Sequence, residues 1–461
     1  MTAPAQSWNA LSARWNALSK RWKVLLSVSA ASLIVVLCMA WWLIPPGSLA
    51  FAGGSTVTLG EYAGADPTGV PAELRTTDTE ARGRYLARLG GCQTCHTAEG
   101  GVPYAGGRAF KTPFGTLYSP NITADLETGI GRWTDADFLH AVHDGVAEDG
   151  SNLYPAFPYE SYTLMTDADA LAIKAFLFSL KPVKLAPPPN TLPFPFDQRW
   201  LMGIWAWVYS PGERFRPHTD RTAEWNRGAY LVEALSHCND CHTERNLAQA
   251  PDNRRKFGGA QINGWTAYNI TQDRTAGIGA WTDTEIAQYL SNGHAKGHGS
   301  PAGEMAGVVD EELRYASSAD IRAIVAYLRS IPPVASSNLP APRLDPAPDS
   351  PRREIAGFEI RGKRVFEGVC ASCHSWSGVS LLTNFATLTG SRAVNDPSAR
   401  NIAGIVLYGT LRDTPQGKIA MPAFGRAYSD SEIAAVANYV TARFGAQGSH
   451  LTAQDVAKLR E

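Results

Sequence analysis

The chain opens with two different hydrophobic patterns placed end to end. In WNALSARWNALSKRW, Trp8, Leu11, Trp15, Leu18 and Trp22 recur every three or four residues and share one helical face, with Lys20 and Arg21 off that stripe. This predicts an amphipathic helix lying on a membrane surface over residues 1–23. Val24 to Ile44 is apolar and uncharged, long enough to cross a bilayer, and Pro45-Pro46 end it. Farther along, one period recurs three times. DADALAIKAFLFSL, SADIRAIVAYLRSI and DSEIAAVANYVTARF read as amphipathic helices, each opened by Asp or Ser able to cap it. Upstream of each comes a helix carrying Arg-Gly and then an aromatic: Arg82-Gly83 with Tyr85, Arg227-Gly228 with Tyr230, Arg361-Gly362 with Phe366. The glycine lets the two helices approach closely, and the aromatic fills the contact. The fold expected is mainly α: three tandem domains behind an N-terminal transmembrane helix.

Proline and repeat boundaries divide the chain. A linker over 45–75 leads to a first domain at 76–190, ended by Pro182 and Pro187 to Pro189. An aromatic inter-domain segment spans 191–223, and the second domain spans 224–333. A Pro-rich, stiff linker at 334–352 precedes the third domain at 353–446, and 447–461 form a polar tail. The first two domains are the closer pair. Both carry Asn-Ile-Thr and then Gly-Ile-Gly-x-Trp-Thr-Asp, from Asn121 to Asp135 and from Asn269 to Asp283. Thr134 and Thr282 are expected as helix caps, with Trp133 and Trp281 packed beside a prosthetic group.

Charge sets the topology. Forty-two Lys and Arg nearly balance 43 Asp and Glu, giving a net charge of −1 and no case for a nucleic-acid partner. Arg14, Lys20, Arg21 and Lys23 precede the apolar run, and no Lys or Arg follows until Arg75. The positive-inside rule then puts the N-terminus in the cytoplasm and everything after the span outside. A cleaved signal peptide is the alternative, with Ala50-Phe51-Ala52 as its site. The run is too long for a signal core and the site lies beyond the prolines, so an uncleaved, single-pass anchor in a bacterial inner membrane, with periplasmic domains, is the reading.

The cysteines bring in the chemistry. Six of seven fall in CQTCH (Cys92, Cys95, His96), CNDCH (Cys238, Cys241, His242) and CASCH (Cys370, Cys373, His374). This spacing attaches a c-type haem: two thiols one turn apart add to the vinyl groups, and the following His lies under the iron. A redox or zinc CxxC with an incidental His is the plain alternative, and three copies at domain-sized intervals argue against it. Three covalently bound haem c groups are expected, and export with them. Cys38 lies in the apolar run, so no thiol remains for an inter-domain disulfide.

Methionine is the usual sixth ligand in electron-transfer cytochromes. Of six Met, Met1 is the start, Met39 is in the span and Met202 lies between domains. Met165, Met305 and Met421 fall one per domain, between the haem motif and the last helix, and are the expected distal ligands. His140 and His143 are expected at the surface or near propionates. His294 and His298, four apart in a Gly-rich loop, lack nearby acids for a metal site. With every axial position filled, and no GxSxG, P-loop or HExxH, the protein should move electrons and have no catalytic residue of its own.

From Glu80 to Phe444 the chain resembles the three-haem cytochrome c subunits of bacterial membrane-bound alcohol, gluconate, sorbitol, fructose and aldehyde dehydrogenases. YPAFPYESYTLMTDADALAIKAFLFSL, FRPHTDRTAEWNRGAYLVEALSHCNDCHT and MPAFGRAYSDSEIAAVANYV carry the likeness. It implies a partner dehydrogenase, passage of electrons to ubiquinone, and the ligand pairs His96/Met165, His242/Met305 and His374/Met421. Several such subunits lack a long N-terminal span. Its presence here, with SRAVNDP, leans toward a molybdenum-type, aldehyde-oxidising partner over PQQ or flavin types. An anchored carrier feeding a terminal oxidase is the alternative function. Finally, Trp200, Trp205, Trp207 and Tyr209 lie in an apolar run too short to span a membrane. It reads either as a plug between domains or as a bilayer-touching surface lining a quinone site.

Overall fold

The computed structural model describes residues 19–44, 78–210, 212–336, 339–348, 360–414 and 417–460. The Trp8–Leu18 part of the amphipathic repeat, the linker at 45–75 and residues 337–338 and 349–352 of the Pro-rich linker lie outside them. Helix α1, Lys20–Leu43, begins four residues before the expected span and takes Lys20, Arg21 and Lys23 into its first turn. None of its residues is buried, and it is the one described helix long and apolar enough to cross a membrane.

The rest is mostly helical and built on three helix pairs. Helix α2 (Thr79–Leu89) packs on α4 (Asp167–Ser179), with α3 (Asp135–Asp144) beside them. After α5 (Trp200–Tyr209) comes α6 (Ala223–Ala229), which packs on α8 (Ser318–Ser330), with α7 (Asp283–Asn292) alongside. Helix α9 (Ile360–Val365) packs on α11 (Asp430–Phe444), flanked by α10 (Arg400–Tyr408) and α12 (Ala453–Arg460).

The Arg-Gly glycines do what their position predicts. A Cβ on Gly83, Gly228 or Gly362 would overlap the carbonyl oxygen of Ala172, Ala323 or Ala435 on the partner helix. Only glycine permits that separation. The caps follow the sequence as well: Thr134 and Thr282 each close a capping box, with Asp137 and Glu285.

Each pair carries a two-stranded antiparallel hairpin: β1–β2 (Ala109–Thr112, Gly115–Tyr118), β3–β4 (Ala260–Ile262, Trp265–Ala267) and β5–β6 (Thr410–Thr414, Gly417–Met421). One hydrophobic core runs through the first and second pairs, from Leu86 to Ile331. The third pair has separate clusters around Phe366 and Phe444, and around Leu407, Ile433 and Val456. Through Val456, α12 docks onto α10 and α11, so the residues expected as a polar tail are packed structure.

Tyr85 and Phe366 are not equivalent. Tyr85 and Tyr230 stand two residues after their glycines, where the third pair has Arg364; Phe366 stands four after and packs within its own pair on Trp376, Tyr439 and Phe444.

Candidate functional site

Each CxxCH sits on a single helical turn just after the first helix of its pair: Cys92–Cys95, Asn239–His242 and Ala371–His374. The lead-in differs by residue count. Ten residues separate Arg82 from Cys92 and eleven separate Arg227 from Cys238. A π-helical stretch, Tyr230–Leu235, continues α6, and another, Phe366–Cys370, continues α9. No disulfide joins the six motif cysteines. Burial pushes the thiols of Cys92, Cys95 and Cys241 up to about 12, and that of Cys370 to about 11. A redox CxxC works by the opposite shift.

The three histidines share one arrangement. His96 Nδ1 is 2.8 Å from the carbonyl of Pro120, His242 Nδ1 2.6 Å from that of Tyr268, and His374 Nδ1 2.6 Å from that of Ala386. A carbonyl only accepts, so Nδ1 carries the proton and Nε2 keeps its lone pair. Burial lowers all three pKa values and holds the rings neutral. A neutral imidazole oriented by a backbone acceptor is what an iron ligand requires. The thiol pair and the tautomer therefore fit a c-type haem at each turn.

The methionines occupy unequal settings. Met165 is only 2 % exposed and belongs to the shared core. Met305 is half-buried on a short turn beside Glu304, which pairs with Arg108 at 2.7 Å. Met421 ends β6 opposite Thr410.

The other histidines sort out differently from expectation. His140 is exposed and meets Asp144 at 3.0 Å. His143, expected at the surface or near propionates, is not at the surface: it is 1 % exposed and faces Asp167 at 3.7 Å. Its helix turns it inward because its neighbours Phe138 and Val142 line the core. His298 stacks on Trp281 with ring centroids 3.8 Å apart and meets Glu285, while His294 meets Ser300 and Phe385. Among the described residues no His, Cys, Asp and Glu cluster suited to a metal ion occurs.

Helix α5 buries one of its tryptophans and exposes two others. Trp205 is 8 % exposed, donates Nε1–H to the Ala248 carbonyl at 2.8 Å and packs edge-on against Tyr159. Trp207 is 84 % exposed, and Trp200, Ile204 and Phe194 are exposed with it. The end of α1 lies nearby. Its Leu43 carbonyl accepts from Tyr209 at 2.6 Å and from Asn246 at 2.8 Å, and Arg254 covers the Trp41 ring at 4.5 Å.

A family profile described as cytochrome c oxidase, cbb3-type, subunit III matches residues 359–440. The chain is 36 % identical over 400 residues to the fructose dehydrogenase cytochrome subunit of Gluconobacter japonicus, covering 82 % of each chain. The chain belongs to the family of cytochrome c subunits of membrane-bound dehydrogenases. The gluconate 2-dehydrogenase cytochrome c subunit of Pantoea cypripedii is 37 % identical, covering 82 % of this chain and 89 % of its own. The alcohol dehydrogenase (quinone) cytochrome c subunit of Gluconacetobacter polyoxogenes is 35 % identical, covering 82 % of this chain and 84 % of its own. As a cytochrome c subunit the chain transfers electrons within a dehydrogenase complex and is not the catalytic subunit.

Two sets of residues went unnoticed in the sequence. Asp169 and Asp320 receive hydrogen bonds from Tyr230 and Tyr85 across the first two helix pairs. Glu312, buried against Gly91, is pushed up to about 8 chiefly by burial. The aspartates had a signal, their shared place three residues after the helix cap where the third pair has Glu432; Glu312 had none.

Proposed function

We propose that the chain carries three covalent haem c groups in three tandem cytochrome c domains and passes electrons from its partner dehydrogenase to ubiquinone at a bacterial inner membrane. The repeated Nδ1-to-carbonyl bond of His96, His242 and His374 carries this reading. Cys92/Cys95, Cys238/Cys241 and Cys370/Cys373 would form the thioethers, and Met165, Met305 and Met421 the distal bonds. Haem held by His and Met stores one electron at a raised potential. The protein's part is to fix the imidazole tautomer, exclude water and space the three sites.

The membrane face is read from α1 and α5 together. Tyr209, Asn246 and Arg254 cap the last carbonyls of the apolar helix, which brings Trp200 and Trp207 to the level where an outer-leaflet interface would lie. Ubiquinone would approach there, with Trp205 as the structural plug beneath. Electrons would enter at the opposite end of the chain. Cys373 is the one exposed motif cysteine, and Leu381, 92 % exposed, stands with Leu382 nearby in sequence. The dehydrogenase would cover that apolar patch. Relatives named for fructose, gluconate, alcohol and nicotinate dehydrogenases support a dehydrogenase catalytic subunit as the partner.

Gentle solubilisation of native membranes, purification of this chain and mass spectrometry of its companions test the reading. A stoichiometric dehydrogenase and three haems per chain are expected. A chain that arrives alone and fully haem-loaded would favour the anchored carrier feeding a terminal oxidase. Trp207→Ala should lower quinone reduction while electron entry is unchanged, whereas Trp205→Ala should cost stability.

A further inference from the structure

The first two helix pairs are joined by a reciprocal exchange. Tyr85 donates to Asp320 Oδ2 at 2.6 Å, and Tyr230 donates to Asp169 Oδ2 at 2.6 Å. Each tyrosine therefore satisfies a carboxylate of the other pair. That carboxylate is already held by its own arginine: Asp320 by Arg227 at 2.9 and 2.8 Å, and Asp169 by Arg82. Each tyrosine oxygen also accepts a main-chain N–H of the other pair, from Ser317 at 3.1 Å and from Thr166 at 3.3 Å. The exchange is two-fold, and all four groups are buried or half-buried. Charge-assisted bonds of this kind hold geometry tightly.

The same contact brings the two attachment turns together. Ser236 donates to the Leu89 carbonyl at 3.1 Å, and Tyr162, which donates to the Gly90 carbonyl of its own unit at 2.6 Å, packs edge-on against His237 of the second with ring centroids 5.4 Å apart. Ser236 stands two residues before Cys238, and Gly90 two before Cys92. Among the described residues no such reciprocal exchange reaches the third pair. It has Arg364 at the tyrosine position, and it meets the second pair through Arg412–Asp310, Asn401–Thr266 and Asp396–Tyr268.

We infer that Tyr85 and Tyr230 are positioning residues that lock the Cys92/Cys95 and Cys238/Cys241 sites into one tightly coupled redox pair, with the third site coupled separately. The step they serve is transfer of one electron between two irons. One iron is oxidised and the other reduced, and no bond forms or breaks. The inference rests on haem attachment at the two motifs as proposed above. Its substance is that two hydroxyl groups, neither of them on a haem-holding residue, set the spacing on which tunnelling depends.

The test uses the full-length chain in detergent, as wild type, Tyr85→Phe/Tyr230→Phe and Arg412→Gln. Haem per chain is counted by intact mass. Electron equilibration after flash photoreduction and spin–spin broadening of the ferric signals are then measured. Phenylalanine keeps the ring packing and removes only the exchanged hydrogen bonds. The double variant, carrying three haems, should equilibrate between the first two sites about tenfold more slowly and lose broadening. Arg412→Gln should leave both readouts for that pair at wild-type values. Full haem content with unchanged rate and broadening in the double variant would overturn the inference alone. Fewer than three haems on the wild-type chain would overturn the haem reading, and the inference with it.

Discussion

The first two helix pairs and the third solve the same packing problem with different consequences. All three use a glycine to bring two helices into backbone contact and a single turn to present Cys-x-x-Cys-His. In the first two, the residue three after the helix cap is Asp, and it turns away from its own cap to take Arg and the other pair's Tyr. In the third it is Glu432, which folds back on Ser429 at 2.6 Å, while Arg361 settles for Ser431 at 3.2 Å. A carboxylate spent on its own helix cap leaves the pair self-contained. A carboxylate free to accept from outside makes two pairs into one body with one core. Glu in place of Asp at the third helical position, together with Arg364 in place of the tyrosine, thus keeps the third pair out of the exchange that joins the first two.

The largest effects should come from the shared glycines, because they break both kinds of unit while revealing which residues melt together. Gly83→Ala forces a Cβ into the Ala172 carbonyl and should cost more than about 3 kcal/mol. By calorimetry it should lower the transition of the first and second pairs together, leaving the third where it was. Gly362→Ala should lower only the third. A single transition displaced equally by both would dissolve the distinction.

Asp320→Asn should come next. It removes a buried charge that serves Arg227 and Tyr85 at once, at a cost of about 3 kcal/mol. Glu432→Gln, its counterpart, loses part of an exposed capping box and should cost far less. Chemical denaturation of the two variants side by side measures the difference, and equal costs would mean that the exchange contributes nothing to the joined body.

Much of this organisation was legible in the chain. Period, caps and the Arg-Gly spacing gave the three helix pairs because they reflect contacts within some twenty residues of each other or strict steric needs. The Tyr–Asp exchange was not legible, since Tyr85 and Asp320 are 235 residues apart and either could have faced water. His143, read as a surface or propionate contact, leaves the surface because the packing of Phe138 and Val142 turns it inward. Phe366 was mistaken for a counterpart of Tyr85 because an aromatic near Arg-Gly was counted without its register. A shift of two residues moves a side chain to the other flank of a helix. The aromatic run at Trp205 and Trp207 read either as a plug or as a surface, and opposite faces of one short helix bury the first residue and expose the second.

The junction of the first two pairs should also show in pH dependence. Glu312 lies buried against Gly91, and burial first, then the neighbouring Glu311 charge, raise its folded pKa to about 8 from an ordinary 4.5. Between those values the folded chain holds a proton that the unfolded chain has released. Stability is therefore fully present below about pH 4.5 and falls as pH rises through about 8. Melting temperatures at pH 5.5, 7 and 8.5 should decline for the joined pairs, and Glu312→Gln should flatten that decline. A slope unchanged in Glu312→Gln would place the titration elsewhere.

The smallest effect on stability should fall on the third pair's exposed face, and it probes the contrast from the other side. A self-contained module has surface to spare. Leu381 is almost fully in water, close in sequence to the exposed Cys373. Leu381→Ser should change unfolding free energy by less than about 0.5 kcal/mol. If the patch is where the dehydrogenase sits, the same substitution removes apolar area from a contact and should weaken co-purification of the complex, with haem content and melting temperature intact. A variant that keeps its partner at wild-type stoichiometry would move the docking face away from the third pair and leave its independence without a functional reason.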